Sequence, residues 1–162
     1  MIQIIKAKIE DTKLIQQLAH AIWYPTYTEI LSKEQIDFML EHLYSIETLQ
    51  SSILGNTTFY ILYEGNVAVG FIGFGPKGDV LKIDKIYLLP STQGKGFGKM
   101  LINLAAEEAK NLGFKELELN VNRYNKAYNF YLKQGFKVVE EVDIPYYEFF
   151  LNDYVMRKSL IS

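Results

Sequence analysis

Cysteine is absent from the 162 residues, which excludes disulfides and thiolate metal sites. Histidine is nearly absent: His20 and His42 have no metal-ligand spacing with other candidates and read as helix-surface or packing residues, so no metal is expected. No apolar run approaches the length needed to span a bilayer, and no basic segment precedes an apolar stretch at the N-terminus; no membrane contact and a cytoplasmic location are expected. Neither sign of charge dominates. Seventeen basic against nineteen acidic residues leave a formal net charge of −2, which gives no general attraction for nucleic acid and mildly favours a cationic partner. Repeats, low-complexity tracts and linkers are missing too, so residues 1–162 are expected to form one domain, large enough to bury roughly 70% of its unfolded surface.

What is present alternates between extended and helical patterns. Residues 2–7 read as a strand. Asp11 or Thr12 can cap a helix with an apolar stripe of Leu14, Ile15, Leu18, Ile22 and Trp23, expected to stop before Pro25. Ser32 with Gln35 predicts a second helix, and Ser45 a short third one stopping at Gly55. Residues 57–63, 67–74 and 80–89 form a predicted meander, with Gly73, Gly75 and Gly78 assigned to a turn. A helix over 98–112, a strand through Leu117, Leu119 and Val121, a helix over 125–134, and strands over 136–142 and 147–156 complete the order. Strand, helix, strand around residue 98 implies a right-handed parallel crossover. The expected class is α+β, with a mixed, mostly antiparallel central sheet flanked by helices.

The junction of that crossover, PSTQGKGFGKM at residues 90–100, is packed with main-chain donors. Its glycines let N–H groups approach an anion, the following helix adds unsatisfied amides and a positive dipole end, and Lys95 and Lys99 add charge. A Walker A loop is excluded, because Gln93 stands where its first glycine belongs and Met100 where Ser or Thr belongs. A dinucleotide fingerprint fails at Lys99. What remains is Q-x-x-G-x-G, spelled by Gln93, Gly94, Lys95, Gly96, Phe97 and Gly98 directly after the strand IDKIYLLP.

This pattern resembles the acetyl-CoA-binding motif of the GNAT superfamily of N-acetyltransferases, and the order of elements is similar to that family's over nearly the whole chain. The resemblance implies acetyl-CoA as co-substrate. Main-chain groups of Ile86, Tyr87 and Leu88 would hold its pantetheine arm where the strand splays from its parallel neighbour, and those of Gln93, Gly94, Lys95, Gly96, Phe97, Gly98 and Lys99 its pyrophosphate. NKAYNFYLKQGF, residues 125–136, is similar to a second family motif and puts Tyr131 where many members donate a proton to the departing CoA thiolate. A phenol of ordinary pKa ~10 suits that role. A core or interface aromatic is the alternative. The cofactor-binding Asn that usually stands seven residues before that tyrosine is replaced by Tyr124; Asn125 fills the role after a one-residue deletion, or is a plain helix cap.

Implied chemistry is direct attack of a neutral amine on the thioester, the oxyanion being stabilised by a main-chain N–H such as that of Leu88. Cysteine is lacking and no nucleophile elbow is present, so no covalent enzyme intermediate is expected. Asp84 is a candidate base, sharing a strand face with Ile86 and Leu88, or else an exposed strand charge. The acceptor groove implied by the family falls on residues 23–31 and 143–149, where Trp23, Tyr24, Tyr27, Tyr146 and Tyr147 with Glu29, Asp143 and Glu148 can surround an ammonium; ordinary packing explains the aromatics equally well. The helical region and LNDYVMRKSL resemble bacterial polyamine-type (spermidine/spermine) N-acetyltransferases, so a polyamine or other small alkylamine is the expected acceptor. A protein N-terminus or lysine, or a non-catalytic acyl-CoA-binding module, are the alternatives. Exposed strands near the C-terminus leave room for a homodimer.

Overall fold

The computed structural model describes residues 1–161, built around one seven-stranded sheet of order β1-β2-β3-β4-β5-β7-β6. The strands are β1 (Ile2–Lys6), β2 (Thr58–Glu64), β3 (Val67–Lys77), β4 (Val80–Leu88), β5 (Glu116–Asn122), β6 (Lys137–Tyr146) and β7 (Phe149–Ser159). Neighbours are antiparallel except β4 and β5, as the crossover requires. The expected mixed, mostly antiparallel sheet flanked by helices is what the chain forms.

Helices cover both faces. On one lie α1 (Thr12–Tyr27), α2 (Lys33–Leu43) and α3 (Ile46–Leu54), burying Ile15, Ile22, Ile36 and Leu49 against Phe59, Ile61 and Phe71. On the other lie α4 (Phe97–Asn111) and α5 (Ala127–Lys133), where Leu101, Ile102 and Ala105 meet Ile72, Leu117 and Leu119. Ser32 and Ser45 cap α2 and α3 by accepting from the amides of Gln35 and Thr48 at 3.1 Å each.

Three boundaries differ from expectation. Helix α1 runs through Pro25 to Tyr27. Proline costs a helix about 3 kcal/mol, but the burial of Trp23 and Tyr27 in the core on that face outweighs it. Gly73 and Gly75 lie within β3 rather than in a turn: a Cβ on them would stand 2.7 Å from the Phe59 ring and 2.7 Å from the Asn56 carbonyl. The turn is Gly78-Asp79 alone, Gly78 taking φ +59°. The last hairpin turns tightly at Tyr147-Glu148, with Tyr146 opposite Phe149 and Tyr147 in the left-handed region at φ 57°. Its outer strand, β6, is one of the sheet's two edges, opposite β1, and carries Glu140, Glu141, Asp143 and Pro145.

Strand alternation sends Leu117, Leu119 and Val121 to the α4 face and Glu118 and Asn120 to the opposite one. Register places Glu118 between Lys82 on β4 and Arg157 on β7. Its carboxylate, 1% exposed, accepts from Lys77 (2.9 Å), Lys82 (3.0 Å) and Arg157 (3.0 Å). Burial pushes its pKa up, but these hydrogen bonds prevail and hold it at about 2, against an ordinary 4.5. A depressed pKa stabilises the fold above pH 4.5, and the contribution drains away as pH falls from there towards 2. Lys77 is 63% exposed, so solvent screening discounts the term to about 2 kcal/mol. Glu118→Gln is expected to lower Tm at neutral pH and to flatten the decline of Tm between pH 4.5 and about 2; an unchanged acid profile by calorimetry would contradict this role.

Candidate active site

Strands β4 and β5 pair only from Leu81–Leu117 to Ile83–Leu119. Beyond that point β4 stays with β3, as far as Leu88 opposite Gly70, and β5 stays with β7, as far as Asn122 opposite Asp153. Each strand follows its antiparallel partner, so a wedge-shaped window opens in the sheet. Leu89 donates its N–H to Val69 O at 2.8 Å. Because main-chain groups alternate sides along a strand, those of Ile86 and Leu88 therefore point into the window. The Tyr87 main chain faces β3, with its carbonyl against Gly70, which corrects its expected place among the pantetheine-binding groups; Tyr87 offers its side chain.

Three phenols meet at this window from both sides of the sheet. Tyr27 of α1 and Tyr87 of β4 share a hydrogen bond of 2.8 Å, and Trp23 packs 4.7 Å from the Tyr27 ring and 5.6 Å from that of Tyr87. Tyr131 of α5, 6% exposed, packs against Phe130 and Phe136 on the α4 side, near enough for Tyr27 to bear on its ionisation. Burial pushes the Tyr27 phenol up to about 12, with hydrogen bonding to Tyr87 and Asn125 opposing. Burial raises Tyr131 and Tyr87 as well, and the charge of an ionised Tyr27 adds to both. All three remain protonated near neutral pH, so each is a donor. Asn125 accepts from the Ala127 amide at 2.9 Å, a capping contact at the start of α5, while its carboxamide also bears on Tyr27.

The glycine loop follows β4 at the far end of the window, between Leu88 and α4. Gly94 and Gly96 take φ +83° and +81°, and a Cβ at either would meet nothing within 4 Å, so the strain of the left-handed region is what selects glycine there. Among the described residues, the amides of Gly94, Lys95 and Gly96 donate to no backbone carbonyl, and no side chain caps α4. That cradle of free amides fits a pyrophosphate. Phe97 is a buried anchor, Gln93 and Lys99 are exposed, and Lys95 pairs with Glu64 at 2.9 Å. Gly98 has a different reason from the one expected. It lies inside α4, and a Cβ would stand 2.9 Å from the Phe130 ring; its smallness seats α5, and with it Tyr131.

Asp84 is the extra residue of a β-bulge, since Gly73 opposes Lys85 while Phe74 opposes Ile83. The bulge breaks the alternation, so Asp84 does not share a face with Ile86 and Leu88. Those two pack on the α4 side, whereas Lys85 lies over Tyr44, 5.4 Å from the ring centroid, and Tyr87 under α1. Asp84 is exposed, as the alternative of a strand charge allows; neighbouring atoms still raise its carboxyl pKa by partial desolvation, with Lys85, Lys82 and Lys77 opposing. The expected acceptor residues divide. Because α1 extends to Tyr27, only Thr28 to Ser32 are loop: Trp23 is buried behind the phenols, Tyr24 donates to Asp37, and Glu29 is exposed. Tyr146 and Tyr147 form a separate aromatic cluster with Phe38 and His42, in which the Tyr147 hydroxyl bonds His42. Two polar residues to which the sequence reading gave no role, Asn120 and Asp153, stand on the α1 face beside the window; Asp153 lies within LNDYVMRKSL, between Leu151 and Val155. No group of three or more His, Cys, Asp or Glu among the described residues is arranged to hold a metal, and no helix is long and apolar enough to cross a membrane.

Known proteins are similar to this chain in sequence and fold. The profile of the acetyltransferase (GNAT) family matches residues 15–136. A spermidine N(1)-acetyltransferase of Thermoplasma acidophilum is 32% identical over 99% of this chain and 99% of its own length. A crystal structure of PaiA N-acetyltransferase from the same organism, in complex with coenzyme A, superposes with a TM-score of 0.87 at 30% identity, covering 98% of this chain and 99% of that one. A [ribosomal protein bS18]-alanine N-acetyltransferase of Haemophilus influenzae is 37% identical over about half of each chain, 51% of this one and 55% of its own.

Proposed function

The chain belongs to the GNAT family of acetyl-CoA-dependent N-acetyltransferases, and from that premise we propose that it acetylates a primary amine carrying further positive charge, of the polyamine or small alkylamine class. The observation that carries the reading is the window: a main-chain anion cradle on one side, a polar sheet face with Asp84, Asn120 and Asp153 on the other, and three protonated phenols between. Acceptor and thioester can then meet in a ternary complex. Asp84 takes the amine's proton, the nitrogen attacks the carbonyl carbon, and the Leu88 N–H stabilises the oxyanion. The C–S bond then breaks and Tyr131 protonates the thiolate. The near-complete match to a spermidine acetyltransferase supports a small polyamine over a peptide N-terminus, for which the similarity covers only about half the chain.

Acetyl-CoA is expected to raise Tm, as a ligand selective for the native state must, and CoA release is expected with spermidine and alkyldiamines in preference to peptides. No melting shift at millimolar acetyl-CoA, or turnover confined to neutral or anionic acceptors, would sink the reading.

A further inference from the structure

Asp153 lies on β7 opposite Asn122, where β5 has already parted from β4. Alternation along β7 places Met156 and Tyr154 on the α4 and α5 face, and Leu151 with Asp153 on the face of α1. Asp153 therefore shares the α1 face with Tyr27, and its charge adds to the rise of that phenol's pKa. It is half-buried, yet its hydrogen-bonding capacity is almost unused: the contact its carboxylate makes is a long one, 3.3 Å from Asn120 Nδ2. A carboxylate accepts at about four positions.

The neighbouring cations are committed elsewhere. Arg123 spends its guanidinium on the Val142 carbonyl (3.0 Å), the Asp153 carbonyl rather than its side chain (3.3 Å), and the Asp143 carboxylate (2.6 Å). Lys82 is held by Glu118 at 3.0 Å and by the Asn120 oxygen, and that bond turns the Asn120 amide toward Asp153. A chain of fixed polar groups thus runs from the ion cluster at Glu118 to the lip of the window and ends on an anion with no partner cation among the described residues. Partial desolvation, which raises the carboxyl pKa, strengthens attraction for an incoming ammonium.

We infer that Asp153 is the anchor for the acceptor's cationic group, a specificity-determining residue positioned by Asn120. The inference rests on the function proposed above. Asp153→Asn keeps shape and removes charge. With an α,ω-alkyldiamine as probe, the acceptor KM is expected to rise at least about tenfold, the size of one lost charge-assisted contact. The kcat should stay within about threefold, and acetyl-CoA affinity, followed by melting shift, should be unchanged. Asp153→Glu should restore most of the KM. A folded Asp153→Asn enzyme with the wild-type diamine KM would overturn this assignment alone, as would a KM rise matched by an equal loss of acetyl-CoA affinity. Wild-type protein that releases no CoA with any amine would overturn the functional reading and the anchor together.

Discussion

Tyr131→Phe is expected to lower kcat at least about tenfold while leaving the acceptor KM and the acetyl-CoA melting shift nearly unchanged. The substitution removes one hydroxyl and keeps the ring that packs 5.5 Å from Phe130 and 5.9 Å from Phe136. General acids typically contribute ~10² to 10⁴ in rate, and a thiolate, being a good leaving group, draws on the low side of that range. Because burial raises the Tyr131 pKa, the phenol stays protonated through the alkaline range, so its ionisation should not limit wild-type kcat below about pH 10. Steady-state kinetics across neutral and alkaline pH checks this. Wild-type kcat in the folded variant would reduce Tyr131 to a packing aromatic.

Gly96→Val should abolish acetyl-CoA binding at millimolar concentration while the protein stays folded. A β-branched residue held at φ +81° costs about 1–3 kcal/mol of strain. Relief by rotating the loop withdraws amides worth about 1.5–3 kcal/mol each to an anion. Withdrawing two such amides costs about 3 kcal/mol or more, over a hundredfold in affinity. The empty space around a Cβ at this position confines the damage to the loop. Gly98→Val is expected to behave differently, displacing Phe130 and loosening the α4–α5 contact, so its melting temperature falls. Calorimetric titration with acetyl-CoA separates the two. Intact affinity in folded Gly96→Val would remove this loop from the binding site.

Much of this was legible in the sequence because it depends on local chemistry. Periodicity, serine caps and turn residues placed every helix and strand, and the spacing of Gln93, Gly94, Gly96 and Gly98 marked the anion loop. What escaped was set by pairing across the sheet. The bulge at Asp84 is visible only against Gly73 and Phe74, and it moves that carboxylate to the other face. Tyr27 reads as a loop residue because Pro25 is a local stop signal, and only its burial shows why the helix continues. Asn120 and Asp153 come to line the window only because two strands separate beside them.

The free edge of β6 has a bearing on self-association. Two copies laid edge to edge about the strand's midpoint would set Glu140 opposite Asp143 of the other copy, while Pro145 has no N–H to offer the new ladder. Val138, Val139 and Ile144 make the strand sticky, and the acidic residues among them act as gatekeepers against open-ended fibre growth. Any homodimer built on the C-terminal hairpin would therefore have to pack through its faces, each copy's sheet staying seven strands wide.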